Sequence, residues 1–186
     1  AGKGKFEFNL SLEEGDLYNI RIGKSITGGA SLFFYLAPGE VQIKSNGPLF
    51  TGAELSGSKY ATDQNELNKY IRNAKALAKS KEIETALNEA IKAKDSVKLA
   101  ALRPEYQKLT SIRTSLYRKW ISEHPSSPIS AMALWFYVRE KNMEELQKLL
   151  DQLKPEAKQN ALTKKMQHSI DAAKATAIGK IAPDFV

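Results

Sequence analysis

The apolar residues of this 186-residue chain change their period once, near Thr62, and that change sets the class of fold the chain can reach. Upstream the period is two. From Lys5 to Leu12, the side chains of Phe6, Phe8, Leu10 and Leu12 fall on one face and those of Glu7, Asn9 and Ser11 on the other, the pattern of a half-buried strand. Glu13-Glu14-Gly15-Asp16 has turn chemistry, and Tyr18, Ile20 and Ile22 then alternate with Asn19 and Arg21, so the spacing predicts a hairpin between the two runs. Gly23 to Ala30 reads as loop. Ser31 to Ala37 is almost continuously apolar, as in a strand covered on both faces, and Ala37-Pro38-Gly39-Glu40 offers Pro and Gly in type II turn order. Val41 and Ile43 continue as strand. An extended segment around Leu49 to Leu55 completes the sheet before Ser56-Gly57-Ser58 breaks the pattern.

Downstream the period is helical. Leu67, Tyr70, Ile71, Ala74, Leu77 and Ala78 predict one helix, capped by Thr62 or Asp63 and running to about Lys79. Ile83, Leu87, Ala90 and Ile91 mark a second. Asp95-Ser96 can cap a short third helix, which Pro104 should kink unless it starts the next helix at its first turn. Tyr106, Leu109, Ile112, Leu116 and Trp120 form a long stripe that His124-Pro125-Ser126-Ser127-Pro128 must stop. Ile129 to Arg139 is apolar nearly all round, so it is expected to be the most buried helix, with Trp135 and Phe136 as its largest side chains. Met143, Leu146, Leu149, Leu150 and Leu153 make the next stripe, and Pro155 separates it from a last helix, Glu156 to Ala175, that Gly179 stops. Strands first and helices afterwards argue for an α+β fold. The expected division is an antiparallel β-domain over residues 1–60, sandwich-like or a partial sheet, and an all-helical bundle over 61–177. No tetratricopeptide signature recurs at a fixed period.

The charge follows the same division. Residues 1–60 carry six Lys/Arg against six Asp/Glu, while residues 61–186 carry twenty-two against fifteen, so the whole net charge of +7 sits on the helical part. Such a face either stays solvated or attracts an anionic partner, a nucleic acid or a lipid surface. The absence of cysteine excludes a disulfide, a thiolate zinc site or a thiol nucleophile within these residues. The longest apolar run, Ile129 to Val138, is about half of what a bilayer crossing needs.

Motifs with chemistry are few. Gly23-Lys24-Ser25 ends like a phosphate-binding loop, but Tyr18 stands where that loop needs its first glycine and no helix follows. His124 and His168 lack partners at metal-ligand spacing; His124 reads as a helix-terminus residue and His168 as helix surface. Leu55-Ser56-Gly57-Ser58 lacks the first glycine of a nucleophile elbow. Glu13-Glu14 and Glu144-Glu145 read as a turn and a helix surface, and Trp120, Trp135, Phe136 and Tyr137 sit at core spacing. These patterns assign no catalytic, cofactor-binding or metal-binding residue, name no binding residue and imply no cofactor.

Three stretches carry a family likeness. Ile178-Gly179-Lys180-Ile181-Ala182-Pro183-Asp184-Phe185 resembles the Gly-x-x-Ala-Pro-x-Phe lead-in of thioredoxin-like thiol-disulfide oxidoreductases and peroxiredoxins. Gly4-Lys5-Phe6-Glu7-Phe8 with Phe34-Tyr35-Leu36-Ala37-Pro38-Gly39-Glu40-Val41-Gln42-Ile43 is similar to the β-rich accessory domain that precedes such redox domains in envelope proteins of Gram-negative bacteria. Trp120-Ile121-Ser122-Glu123-His124-Pro125-Ser126-Ser127-Pro128-Ile129-Ser130 resembles the helix, x-x-Asn-Pro-x-Ser, helix segment of that region, with His124 at the usual Asn. The resemblance implies a region cut on both sides, with residues 178–186 forming the linker and start of a thioredoxin-like domain beyond. It implies that residues 1–177 are noncatalytic, that the whole protein exchanges disulfides facing the periplasm, and that any membrane anchor lies outside these residues. The implied partners are the downstream redox domain and a disulfide-bearing protein substrate, with no nucleic acid. The family's β-domain usually begins with strands before the Gly-Lys-Phe phrase, so the resemblance also implies a sheet edge here that is exposed or repaired, through which two copies could pair. The alternatives are a free-standing basic module for nucleic acid or lipid, and a hydrolase with a deep pocket between sheet and helices.

Overall fold

The computed structural model describes residues 4–22, 30–45, 47, 50, 52–137 and 142–176. The fold is α+β, strands first. β1 (Asp16–Ile22) pairs antiparallel with β2 (Ala30–Leu36), in a register running from Asp16 opposite Leu36 to Ile22 opposite Ala30. β3 (Gln42–Lys44) pairs antiparallel with β4 (Glu54–Ser56) as a second two-stranded sheet. Gly39, between β2 and β3, takes a φ of 129°, a region L side chains rarely enter.

The expected first strand is absent. Residues 5–12 lie outside both sheets, and Phe6, Phe8 and Leu10 are 76%, 69% and 59% exposed. β1 pairs with β2 instead, and the turn before β1 is held by the helices. The Gly15 carbonyl accepts from the Ala161 amide at 3.0 Å, Lys165 pairs with Asp16 at 2.6 Å, and Lys164 pairs with Glu14. Alternation alone does not make a strand.

Among the described residues seven α-helices follow: α1 (Lys59–Arg72), α2 (Ser80–Ala93), α3 (Ser96–Glu123), α4 (Pro128–Tyr137), α5 (Met143–Gln152), the single turn α6 (Pro155–Lys158) and α7 (Ala161–Ala175). α1 starts earlier than Thr62, because Ser58 caps it by accepting from the Ala61 amide at 3.2 Å. It also stops earlier, at Arg72, and a 3₁₀ turn at Lys75–Leu77 leads into α2. Asp95 caps α3 through the Lys98 amide at 2.9 Å, as expected. Pro104 neither ends α3 nor starts a new helix. The carbonyl it orphans belongs to Ala100, and both residues are exposed, so water can serve it. The expected single helix from Glu156 is split at Asn160. That buried side chain caps α7 through the Thr163 amide at 3.0 Å and donates to the Ala157 carbonyl at 2.7 Å.

The core is centred on α4. Ile129, Ala131, Met132, Ala133 and Leu134 are almost fully enclosed by α1, α3, α5, α6 and α7. Trp135 departs from expectation: it is 40% exposed, one of the positions by which the apolar surface of α4 exceeds what its neighbours can cover. Tyr35 and Leu17 of the first sheet pack into this same cluster, while Phe34, Leu55 and Ala61 form a smaller one between the sheets and α1. The predicted helix residues Val138 and Arg139, the Gly23–Gly29 loop, the strand start at Leu49 and the stop at Gly179 lie outside the described residues, as does the tail 178–186.

Two consecutive amides of α1 tie the sheets to the helices. Buried Gln64 accepts from the Tyr35 amide at 3.0 Å and donates to the Phe33 carbonyl at 2.9 Å, completing the edge of β2 that β1 leaves open. Asn65 accepts from the Leu55 amide at 3.0 Å and donates to the Leu55 carbonyl, which does the same for β4. Each amide acts as one residue of an adjacent strand.

Candidate binding groove

The face of α1 that carries Gln64 continues through Asn68 to Arg72, at helical spacing, and forms the floor of a groove. The groove has two hollows that meet at Asn68 and Tyr117. One, of about 200 Å³, lies between β2, α1, α3 and α4 and is walled by Phe33, Tyr117, Met132 and Phe136. The other, of about 370 Å³, lies between α1, α3 and the start of α2, over Ile71 and Leu77, and is ringed by Arg72, Lys81 and Arg113. Both are open to solvent. Phe33 and Phe136 meet edge to face, with ring centroids 5.6 Å apart.

Local causes place these side chains. Arg113 is held by an ion pair to Glu84 of α2 at 2.7 Å, which packs α3 against α2. Arg72 and Lys81 have no acidic partner among the described residues. Burial pushes the Tyr117 hydroxyl above its ordinary pKa, with the Arg113 charge opposing, so it remains a donor at neutral pH. Asp63, one turn before Gln64's neighbours in the groove, accepts from the Ser127 hydroxyl at 2.6 Å and pins the turn before α4 to α1.

The residues weighed from sequence sit elsewhere. His124 ends α3, where its amide bonds the Trp120 carbonyl at 2.9 Å and its ring stacks on Trp120 with centroids 3.8 Å apart. Trp120 is buried, and its indole N–H has no partner among the described residues. His168 is exposed on α7. Glu144 and Glu145 lie in the first turn of α5, where Asn142 caps the helix and Glu145 pairs with Arg118. Gly23-Lys24-Ser25 and the Tyr137 side chain lie outside the described residues. No group of three His, Cys, Asp or Glu that could hold a metal occurs among the described residues. No helix among them is long and apolar enough to cross a membrane.

A second buried phenol lies under the first sheet. The Tyr35 ring is 2% exposed, meets Tyr60 edge to face at 5.5 Å, and presses its hydroxyl on Gly15, where an added Cβ would stand 1.9 Å from the oxygen. Burial, then the neighbouring Tyr60, Asp16 and Glu14, push its pKa up to about 12. This is packing chemistry.

The polar groove residues were not legible in the sequence because Asn68, Arg72, Lys81 and Arg113 follow the polar rule for a helix surface, and the packing of α1, α2 and α3 brings them together. The one available signal was the row Gln64, Asn68, Arg72, polar at a four-residue spacing. The chain matches no protein-family model, no curated protein and no solved structure.

Proposed function

We propose that this chain is a noncatalytic accessory region that places a thioredoxin-like redox domain against its disulfide-bearing partner, and that the groove along α1 is its contact surface. The observation that carries the reading is the form of the groove. It is open along its length, with rings at one end, cations at the other and an amide between, which suits a polypeptide surface better than a small molecule that must be enclosed. The likeness of residues 178–185 to the lead-in of thioredoxin-like domains supports the redox half of the proposal. A thiolate attacks a disulfide only in line, so a rigid neighbour that orients the target contributes selectivity without taking part in the reaction. In this reading the region faces the periplasm and is held at the membrane by an anchor outside these residues.

The test is kinetic, on the intact protein. Asn68→Trp, which fills the meeting point of the two hollows, should lower kcat/KM for a folded protein disulfide by about tenfold or more, the scale of one good contact, and leave turnover of a small aromatic disulfide unchanged. Equal losses on both substrates would contradict it, as would a reading frame that continues into a domain without cysteine.

A further inference from the structure

The two ends of the groove are chemically unlike, and the difference points to a ligand. At one end Phe33, 45% exposed, and Phe136 meet edge to face, and no cation among the described residues lines this hollow. At the other, Arg72, Lys81 and Arg113 line one hollow, and among the described residues Arg113 alone of the three has an acidic partner, Glu84. Among the described residues no Asp or Glu lines either hollow. Between them stands Asn68, exposed, with donor and acceptor both available to a peptide backbone.

We infer that the groove binds an acidic segment of a partner protein that carries an aromatic side chain, its ring against Phe33 and Phe136 and its carboxylates on Arg72, Lys81 and Arg113. This rests on the reading of the groove as a protein-contact surface. A nucleic acid fits less well, because its charge repeats at every nucleotide while the groove's cations among the described residues lie at one end. An acidic segment with one ring matches both ends at once. Arginine suits the carboxylates, which it can engage through two parallel hydrogen bonds, and the paired phenylalanines can accept a third ring edge to face.

The test uses the 186-residue chain and a fluorescein-labelled synthetic peptide of about ten residues, with one phenylalanine followed by aspartates, read by anisotropy. The expected result is saturable binding that weakens about tenfold or more when the aspartates become asparagines, when the phenylalanine becomes alanine, or in the Arg72→Glu/Lys81→Glu double variant. Both replaced side chains are exposed, so circular dichroism should show an unchanged fold. A charge-matched control, Lys92→Glu/Lys108→Glu, alters two exposed lysines that do not line the groove and should bind as the parent does. Equal binding of the asparagine peptide would overturn the inference while leaving the groove as a contact surface. So would equal weakening by the control variant, which would mean diffuse charge, or tighter binding of a single-stranded oligonucleotide or of phosphatidylserine vesicles. No binding of any peptide at about 1 mM would overturn it as well. The kinetic discrimination of the intact protein then decides separately whether the contact-surface reading survives.

Discussion

Two apolar segments of this chain, Phe6 to Leu10 and Ile129 to Leu134, carry equally strong patterns and meet opposite fates. The first alternates cleanly and stays exposed. The second is enclosed on every side by five helices. The difference is in what surrounds them: α4 is delivered into the centre of the bundle by the turn at His124–Pro128, which Asp63 anchors, while residues 5–12 join neither sheet. A hydrophobic pattern states what a segment can bury, and the rest of the fold decides whether it does.

The comparison can be broken at several points. The largest effect should come from α4: Leu134→Ala removes a fully buried side chain amid rigid neighbours and should cost about 3–5 kcal/mol, read by urea denaturation. Next is the phenol under the first sheet. Tyr35 holds its proton more tightly folded than unfolded, so its contribution is complete below pH 10 and is lost as pH rises from 10 towards 12. The loss should be about 2–3 kcal/mol, and Tyr35→Phe should abolish it relative to the parent over the same range. Asp63→Ala leaves the Ser127 hydroxyl without its acceptor and should cost about 1–2 kcal/mol. The smallest change belongs to the exposed segment. Phe8→Ser should move stability by less than about 0.5 kcal/mol, and a loss comparable with that of Leu134→Ala would show that residues 5–12 are buried after all.

What could be read from sequence follows from the range of the interactions involved. The α+β class, the Asp95 cap and the break at His124-Pro125 are local, and local chemistry decides them. The split at Asn160 needed a buried amide that only tertiary packing supplies, and the passage of α3 through Pro104 depended on which side of the helix faced water. Gln64 and Asn65 read as ordinary polar positions of an amphipathic helix. Their work is long-range, across 29 residues to Tyr35 and 10 to Leu55, and no spacing rule within α1 announces it.

α1 is therefore the joint of the molecule: one part of its surface closes the open edges of β2 and β4, and the same face runs on as the floor of the groove. Amide hydrogen exchange at Tyr35 and Leu55, whose N–H groups end on Gln64 and Asn65, tests this directly. Both should be protected in the parent chain. Gln64→Leu should speed exchange at Tyr35 by about tenfold or more while leaving Leu55 protected, and Asn65→Leu should do the reverse. Exchange at both sites that neither substitution alters, or that either substitution alters equally, would contradict the account.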